Sequence, residues 1–290
     1  MQKEIFKNWI EAARPKTLAA SLSPVIIGCA LAIKDNTFIW QAALLCIGVA
    51  VLAQIASNFA NDYFDYKNGI DGKERLGPER AVSKGKITPK AMLNGALIAV
   101  MISCLFGLGL LFYANWKIIF IGIFIAICVF AYSAGPYPLS QHALGDVAVL
   151  LFYGIIPVCF TYYVQANIFT FECFLYSIAI GVLSINILIV NNYRDIEQDR
   201  VAGKITTAVL FGRKTIHILY LINVIIAITI PIICKQNMLS LVLMLLFLII
   251  SISVWIEMGR RIGKDLNIPF NKTARNVLIY ALLCVIIIVF

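Results

Sequence analysis

The sequence predicts an all-α protein, a bundle of nine transmembrane helices arranged as two parallel repeats. Three observations lead there. Of 290 residues, 61% are hydrophobic and 13% charged, roughly half the ~25% charged share of a soluble domain. The apolar residues fall into runs close to the ~20 needed to cross a bilayer as helix. Two stretches rich in Asn and Asp recur at the ends of two of those runs.

In chain order, an amphipathic start comes first, from Met1 to Leu18. It is polar for too long to read as a signal peptide, and no small-residue cleavage site follows. Candidate spans then occupy 17–33, 38–60, 91–113, 117–133, 144–164, 172–191, 215–234, 238–257 and 274–290. The fourth and fifth are divided by Gly135-Pro136-Tyr137-Pro138, which cannot continue a helix and reads as a loop. The chain reads as one transmembrane domain over residues 1–290, with motif loops at 61–90 and 192–214.

Charge sets the direction. The net charge of +9 calls for no nucleic acid, because basic residues collect in the cytoplasmic loops of membrane proteins. With the N-terminus inside, 21 of the 24 Lys and Arg fall on the cytoplasmic side, leaving only Lys34, Lys117 and Lys235 outside. That split predicts a multi-pass protein of the cell membrane with its motif loops in the cytoplasm. The eight cysteines all lie in apolar runs without a CxxC pair and read as small hydrophobes.

The acids are concentrated instead. Eight of 15 lie within 62–79 and 195–199. The second span runs into Asn58 and then Asn61-Asp62-Tyr63-Phe64-Asp65, with Gly69 and Asp71 beyond. The sixth runs into Asn191-Asn192-Tyr193-Arg194-Asp195, with Asp199 beyond. Each copy is followed by Gly-Lys and then by Ala-Val-x-x-Gly and a basic residue, at 81–86 and 208–213. Both copies meet the same membrane face, so the halves form a parallel repeat.

If the spans continue as helix, Asn58, Asn61, Asp62 and Asp65 share one face, as do Asn191, Asp195 and Asp199. Two such faces make an all-oxygen ligand set, which hard cations such as Mg²⁺ choose. Asp65, Asp195 and Asp199 are the expected catalytic acids. Asn61, Asp62, Asp71 and Asn191 complete the metal set. The nearby cations Lys73, Arg80, Lys84, Arg194 and Lys204 are placed to neutralise a diphosphate. The bland alternative is a solvated surface whose acids and bases pair with one another. Closely spaced carboxylates repel unless a cation intervenes, and two matched copies favour the metal reading. His142 and His217 have no ligand partner in sequence and are not expected to be catalytic.

These residues resemble the signature of the UbiA superfamily of intramembrane prenyltransferases. Its pattern is Asn-Asp-x-x-Asp with a further Asp downstream, and a second Asp-x-x-x-Asp in the other half. The resemblance covers essentially the whole chain and implies a nine-helix bundle that uses Mg²⁺, a polyprenyl diphosphate and an aromatic acceptor within the lipid bilayer. The branch most resembled is the one that prenylates 1,4-dihydroxy-2-naphthoate in menaquinone biosynthesis. It shares the extension through Gly69 to Asp71, the Arg14-Pro15-Lys16-Thr17-Leu18 start, and a loop like Tyr132 to Leu139. That branch has Glu after Leu-Gly where this chain has Asp146, which is assigned no fixed role. The resemblance suggests Arg14, Lys16, Asn58 and Tyr132 as acceptor-binding residues.

Three alternatives are weighed. The 4-hydroxybenzoate branch has Tyr-x-x-x-Lys in the loop where this chain has Gly-Pro-Tyr-Pro. A secondary transporter would carry charges near the bilayer midplane, whereas these span interiors are almost free of them. A CDP-alcohol phosphotransferase would need a DGxxAR motif, which is absent. The topology is tested by single cysteines replacing Lys73 and Lys235, which should label from opposite sides of the membrane. Labelling from one side would refute the alternation.

Overall fold

A computed structural model of the chain describes residues 2–69 and 75–290. Among them the structure is all helical apart from one isolated bridge, His142 to Ile205. The helices in order are α1 (Gln2–Ala13), α2 (Pro15–Lys34), α3 (Trp40–Lys67), α4 (Pro89–Gly109), α5 (Ile118–Ala131), α6 (Gly145–Leu150), α7 (Ile156–Ala166), α8 (Phe171–Val201), α9 (Thr207–Lys235), α10 (Met238–Arg260) and α11 (Asn267–Val289). A π-helical turn, Leu151–Ile155, joins α6 to α7.

Among the described residues, eight helical segments are long and apolar enough to cross a membrane, not nine. The predicted span 117–133 is realised as α5, with 14 residues. At 1.5 Å per residue it is about 21 Å long, against a hydrocarbon core of about 30 Å. Local chemistry trims both ends. The Asn115 side chain accepts the Lys117 N–H at 3.0 Å and holds a turn there, and the Gly-Pro loop follows Tyr132. Large apolar side chains such as Leu105, Phe120 and Ile249 stand more than half exposed on the spans, as a lipid-facing surface requires.

The motif helices do continue past the predicted membrane edge. α3 reaches Lys67 and α8 reaches Val201, so each Asn-Asp set rides on one helix. α3 packs chiefly on α4 and α8 chiefly on α9, so each motif loop joins a matched helix pair. The shared Ala-Val-x-x-Gly segment explains the resemblance of the two loops. Gly85 (φ 70°) and Gly212 (φ 77°) both sit in the left-handed region, which glycine enters without a Cβ penalty. Thr88 and Thr206 then cap the helices that follow or contain the turn, accepting the N–H groups of Ala91 and Val209 at 3.3 Å each.

Two irregularities shape the interior. Between α1 and α2, Arg14 adopts a left-handed conformation (φ 52°) before Pro15 starts the next helix. Pro157 has no N–H to give the Tyr153 carbonyl four residues back, and its ring crowds that carbonyl. The helix widens there, and the Ile156 N–H reaches the Leu151 carbonyl five residues back. The widened turn lies tight on α8. A Cβ on Gly154 would come within 2.6 Å of both Gly181 Cα and the Ser177 carbonyl. Gly154→Ala should therefore destabilise the fold by about 1–3 kcal/mol through overpacking against backbone. Thermal unfolding in detergent should show a lowered Tm, while Gly122→Ala, in open space, should not.

Candidate active site

A cavity of about 1950 Å³ runs into the bundle from the end where α3 and α8 carry their motifs. Its deeper part is lined by apolar side chains of α3, α4, α5 and α7, among them Val49, Leu108, Ile119 and Phe160. Its polar end gathers most of the residues singled out by sequence. Asn61 and Asp65 of α3 line it together with Asn191, Asp195 and Asp199 of α8. So do the loop cations Arg80, Lys84 and Lys204, and Arg14, Lys16, Asn58 and Tyr132. Asp71 and Lys73 lie outside the described residues.

Asp62 and Arg194 do not line the cavity, and their contacts say why. Asp62 is buried and accepts the backbone N–H groups of Ala81 and Val82 at 3.0 and 3.3 Å. It docks the first motif loop onto α3. Arg194 has a fully buried side chain. It forms a fork to Asp195 at 2.7 and 2.6 Å, and donates to Asn191 Oδ1 and Asn267 Oδ1 at 2.7 Å each. Asn267 in turn donates to the Leu76 carbonyl at 3.0 Å. The guanidinium expected to meet a diphosphate is thus engaged in holding the second motif to the first loop. Gly77 passes directly over it, where a Cβ would stand 2.7 Å from Nη2.

Each expected catalytic acid has a protein cation beside it. Arg80 Nη2 donates to Asp65 Oδ2 at 2.7 Å within a buried pair. Asp195 is forked by Arg194, and Lys204 lies 3.7 Å from Asp199. Among the described residues no three Asp, Glu, His or Cys side chains converge into a ready metal cluster. The counter-charge that the spacing assigns to a metal is supplied in this structure by Arg80, Arg194 and Lys204. Lys84 instead pairs with Glu79 at 3.6 Å on the surface, and Lys84 and then Lys86 hold that carboxyl below its ordinary range.

Other predicted residues are also placed. Asn58 donates to the Ala13 carbonyl at 2.9 Å and to Thr17 Oγ1 at 3.3 Å, tying α3 to the break at Arg14. Asn61 Oδ1 accepts the Ser133 hydroxyl. Asp146 accepts the Thr207 hydroxyl at 2.6 Å, joining the first turn of α6 to the start of α9. His142 stacks on Tyr137 at 3.6 Å, and His217 on Trp255 at 4.6 Å. Neither histidine lines the cavity.

Among the polar cavity residues that the sequence reading does not single out are Gln54, Ser133, Tyr153 and Asn267. A signal existed for Gln54, a polar side chain one helical turn before Asn58 within an apolar span. Tyr153 stands four residues before Pro157, the spacing that opens a helix. Nothing in sequence marks Ser133.

An all-helical bundle of apolar spans with paired Asn-Asp faces at one end of a deep apolar cavity has the form of an intramembrane enzyme. Residues 21–270 match the UbiA prenyltransferase family, and the chain belongs to that family. It is 40% identical over 220 residues to the 1,4-dihydroxy-2-naphthoate octaprenyltransferase of Haemophilus influenzae, covering 73% of this chain and 71% of the relative. It is 39% identical to the Escherichia coli protein of the same name, covering 70% and 68%. The fold matches that of a UbiA homologue from Archaeoglobus fulgidus solved with DMAPP and Mg²⁺, with a TM-score of 0.68 at 18% identity over 96% of this chain and 99% of that one.

The buried fork gives a test. Arg194→Met removes a fully buried cation and leaves the part-buried Asp195 without its partner, a loss of up to about 3–5 kcal/mol, the scale of a broken buried pair. The variant should unfold at lower temperature than Lys84→Met, whose exposed pair is worth about 0–1 kcal/mol. Equal Tm values would show that the fork is not structural.

Proposed function

We propose that this chain transfers a polyprenyl group from an allylic diphosphate to 1,4-dihydroxy-2-naphthoate, with loss of CO₂, giving demethylmenaquinol for menaquinone synthesis. One observation carries the reading. Asn61 and Asp65 of the first motif, Asn191, Asp195 and Asp199 of the second, and the cations Arg80, Lys84 and Lys204 ring the polar end of one cavity whose remaining depth is apolar. A diphosphate fits the first part and a polyprenyl tail the second. The relatives' names support the acceptor.

The donor set suits Mg²⁺, since Asn61, Asp65, Asn191, Asp195 and Asp199 offer only oxygen and two carboxylates are already held in place by arginine. These five would hold the ion, with Asp71 from the first motif. When bound, Mg²⁺ supplies positive charge to a departing diphosphate. Arg80, Lys84 and Lys204 bind the remaining diphosphate oxygens, and Arg194 keeps Asp195 facing the cavity. The apolar wall keeps water from the allylic cation as the carbon–oxygen bond breaks. An electron-rich ring carbon then attacks, and CO₂ leaves from that carbon, so no strong protein base is needed. Arg14, Lys16, Asn58 and Tyr132 border the acceptor. The polar end faces the cytoplasm of the cell membrane, in keeping with the basic loops.

Two measurements test this. Asp65→Ala and Asp195→Ala should lose at least about a thousandfold in turnover, the scale of removing a main electrostatic group, as should Asp65→Asn. EDTA should abolish activity and Mg²⁺ restore it. In an acceptor panel, carboxyl-labelled dihydroxynaphthoate should release label in step with product, while 4-hydroxybenzoate and homogentisate stay unprenylated. Retained label, or faster use of 4-hydroxybenzoate, would reassign the acceptor.

A further inference from the structure

A line of hydrogen bonds crosses the cavity wall from the π-turn to the α1–α2 break. The Tyr153 hydroxyl donates to Gln54 Oε1. Gln54 Nε2 donates to Asn58 Oδ1 at 3.2 Å. Asn58 Nδ2 donates to the Ala13 carbonyl at 2.9 Å and to Thr17 Oγ1 at 3.3 Å. The direction of this line follows from its far end. A backbone carbonyl can only accept, and the Thr17 proton is already given to the Arg14 carbonyl at 2.9 Å. Asn58 must therefore turn its NH₂ toward them and its oxygen toward Gln54. Gln54 must then turn its own NH₂ toward Asn58, which leaves its oxygen for Tyr153. Tyr153 has to be the donor.

That fixes what Tyr153 can offer the cavity. A phenol carries one proton and two lone pairs, and the proton is spent on Gln54. Tyr153 lines the cavity, and toward it the hydroxyl has only lone pairs left to offer, as a hydrogen-bond acceptor. Its position is built in by the fold. The widened turn imposed by Pro157 shifts the helix phase, and Gly154 against Gly181 presses that turn onto α8. Such π-turns recur at functional sites.

The substrates differ in what they can give to such an oxygen. A polyprenyl tail has no polar hydrogen. A diphosphate and a ring carboxylate are acceptors, and would be repelled. A ring hydroxyl is the one group of these substrates that can donate. We propose that Tyr153 is the subsite for a hydroxyl of the aromatic acceptor, positioned by Gln54 and Asn58. This rests on the prenyl-transfer reading above and extends it to a residue outside both Asp motifs. No proton is transferred: the acceptor hydroxyl keeps its hydrogen while donating it, which enriches the ring carbon that attacks. Tyr153 thereby favours hydroxylated rings.

The test compares two acceptor analogues that each lack one hydroxyl, 1-hydroxy-2-naphthoate and 4-hydroxy-2-naphthoate, as competitive inhibitors of the full-length enzyme in membranes. The wild type should bind one of them about fivefold more tightly, the scale of a single net hydrogen bond. Tyr153→Phe should shrink that difference below about twofold and leave KM for the polyprenyl diphosphate unchanged. Gln54→Leu should also shrink it, because the freed Tyr153 proton removes the obligation to accept. Equal binding of both analogues by the wild type would overturn the subsite. So would Tyr153→Phe weakening both analogues equally, which is what a packing role would do. If the wild type prenylates another hydroxylated acceptor instead, the acceptor assignment fails while the same comparison, made with that compound and its deoxy form, still judges Tyr153. A wild type that prenylates no hydroxylated ring removes both.

Discussion

The active end of this protein depends on one buried cation. A guanidinium taken from water must have its charge and its N–H groups satisfied, or the desolvation cost reaches several kcal/mol. Arg194 meets that demand with Asp195, Asn191 and Asn267. Each partner then has little freedom of its own. Asp195 and Asn191 are held toward the cavity, and Asn267 ties the first motif loop at Leu76 to the start of α11. One ion pair thus joins both halves of the repeat and the last helix.

The repeat is parallel in chain direction but not equivalent in use. In the second copy the cation sits in the helix itself, at the position Phe64 holds in the first. In the first copy the acid Asp65 waits for Arg80, 15 residues later in the loop. Asp62 makes that possible by gripping the loop at Ala81 and Val82, while the matching Asn192 has no charge with which to do so. An acid near the membrane edge requires a nearby positive charge, and the two halves supply it from different parts of the chain.

Depth in the bundle is governed by helix irregularity. Pro157 and the Gly154–Gly181 contact aim Tyr153 across to Gln54. The left-handed Arg14 provides the exposed carbonyls that Asn58 and Thr17 bind. Breaks in two helices therefore anchor one polar line through an otherwise apolar wall, where unsatisfied groups are costly.

The sequence by itself determined the all-α membrane class, most of the spans and the pairing of the motifs. Those depend on hydrophobic run length, charge asymmetry and helical spacing, which are local along the chain. It also predicted that α3 and α8 continue as helix beyond the bilayer, so that Asp65 and Asp195 share one cavity with Asn61 and Asn191. It overestimated the fourth span, because an apolar run does not reveal that Asn115 and the Gly-Pro loop cut α5 to 14 residues. Tertiary structure alone decided which cation meets which acid: Arg194 reads in sequence as one more loop base, and only its burial turns it inward. Tertiary structure also decided that Asp62 holds a loop and that Tyr153 reaches Gln54 from 99 residues away. Side-chain partners across such separations depend on how helices are phased and packed, and no periodicity within a single helix records that.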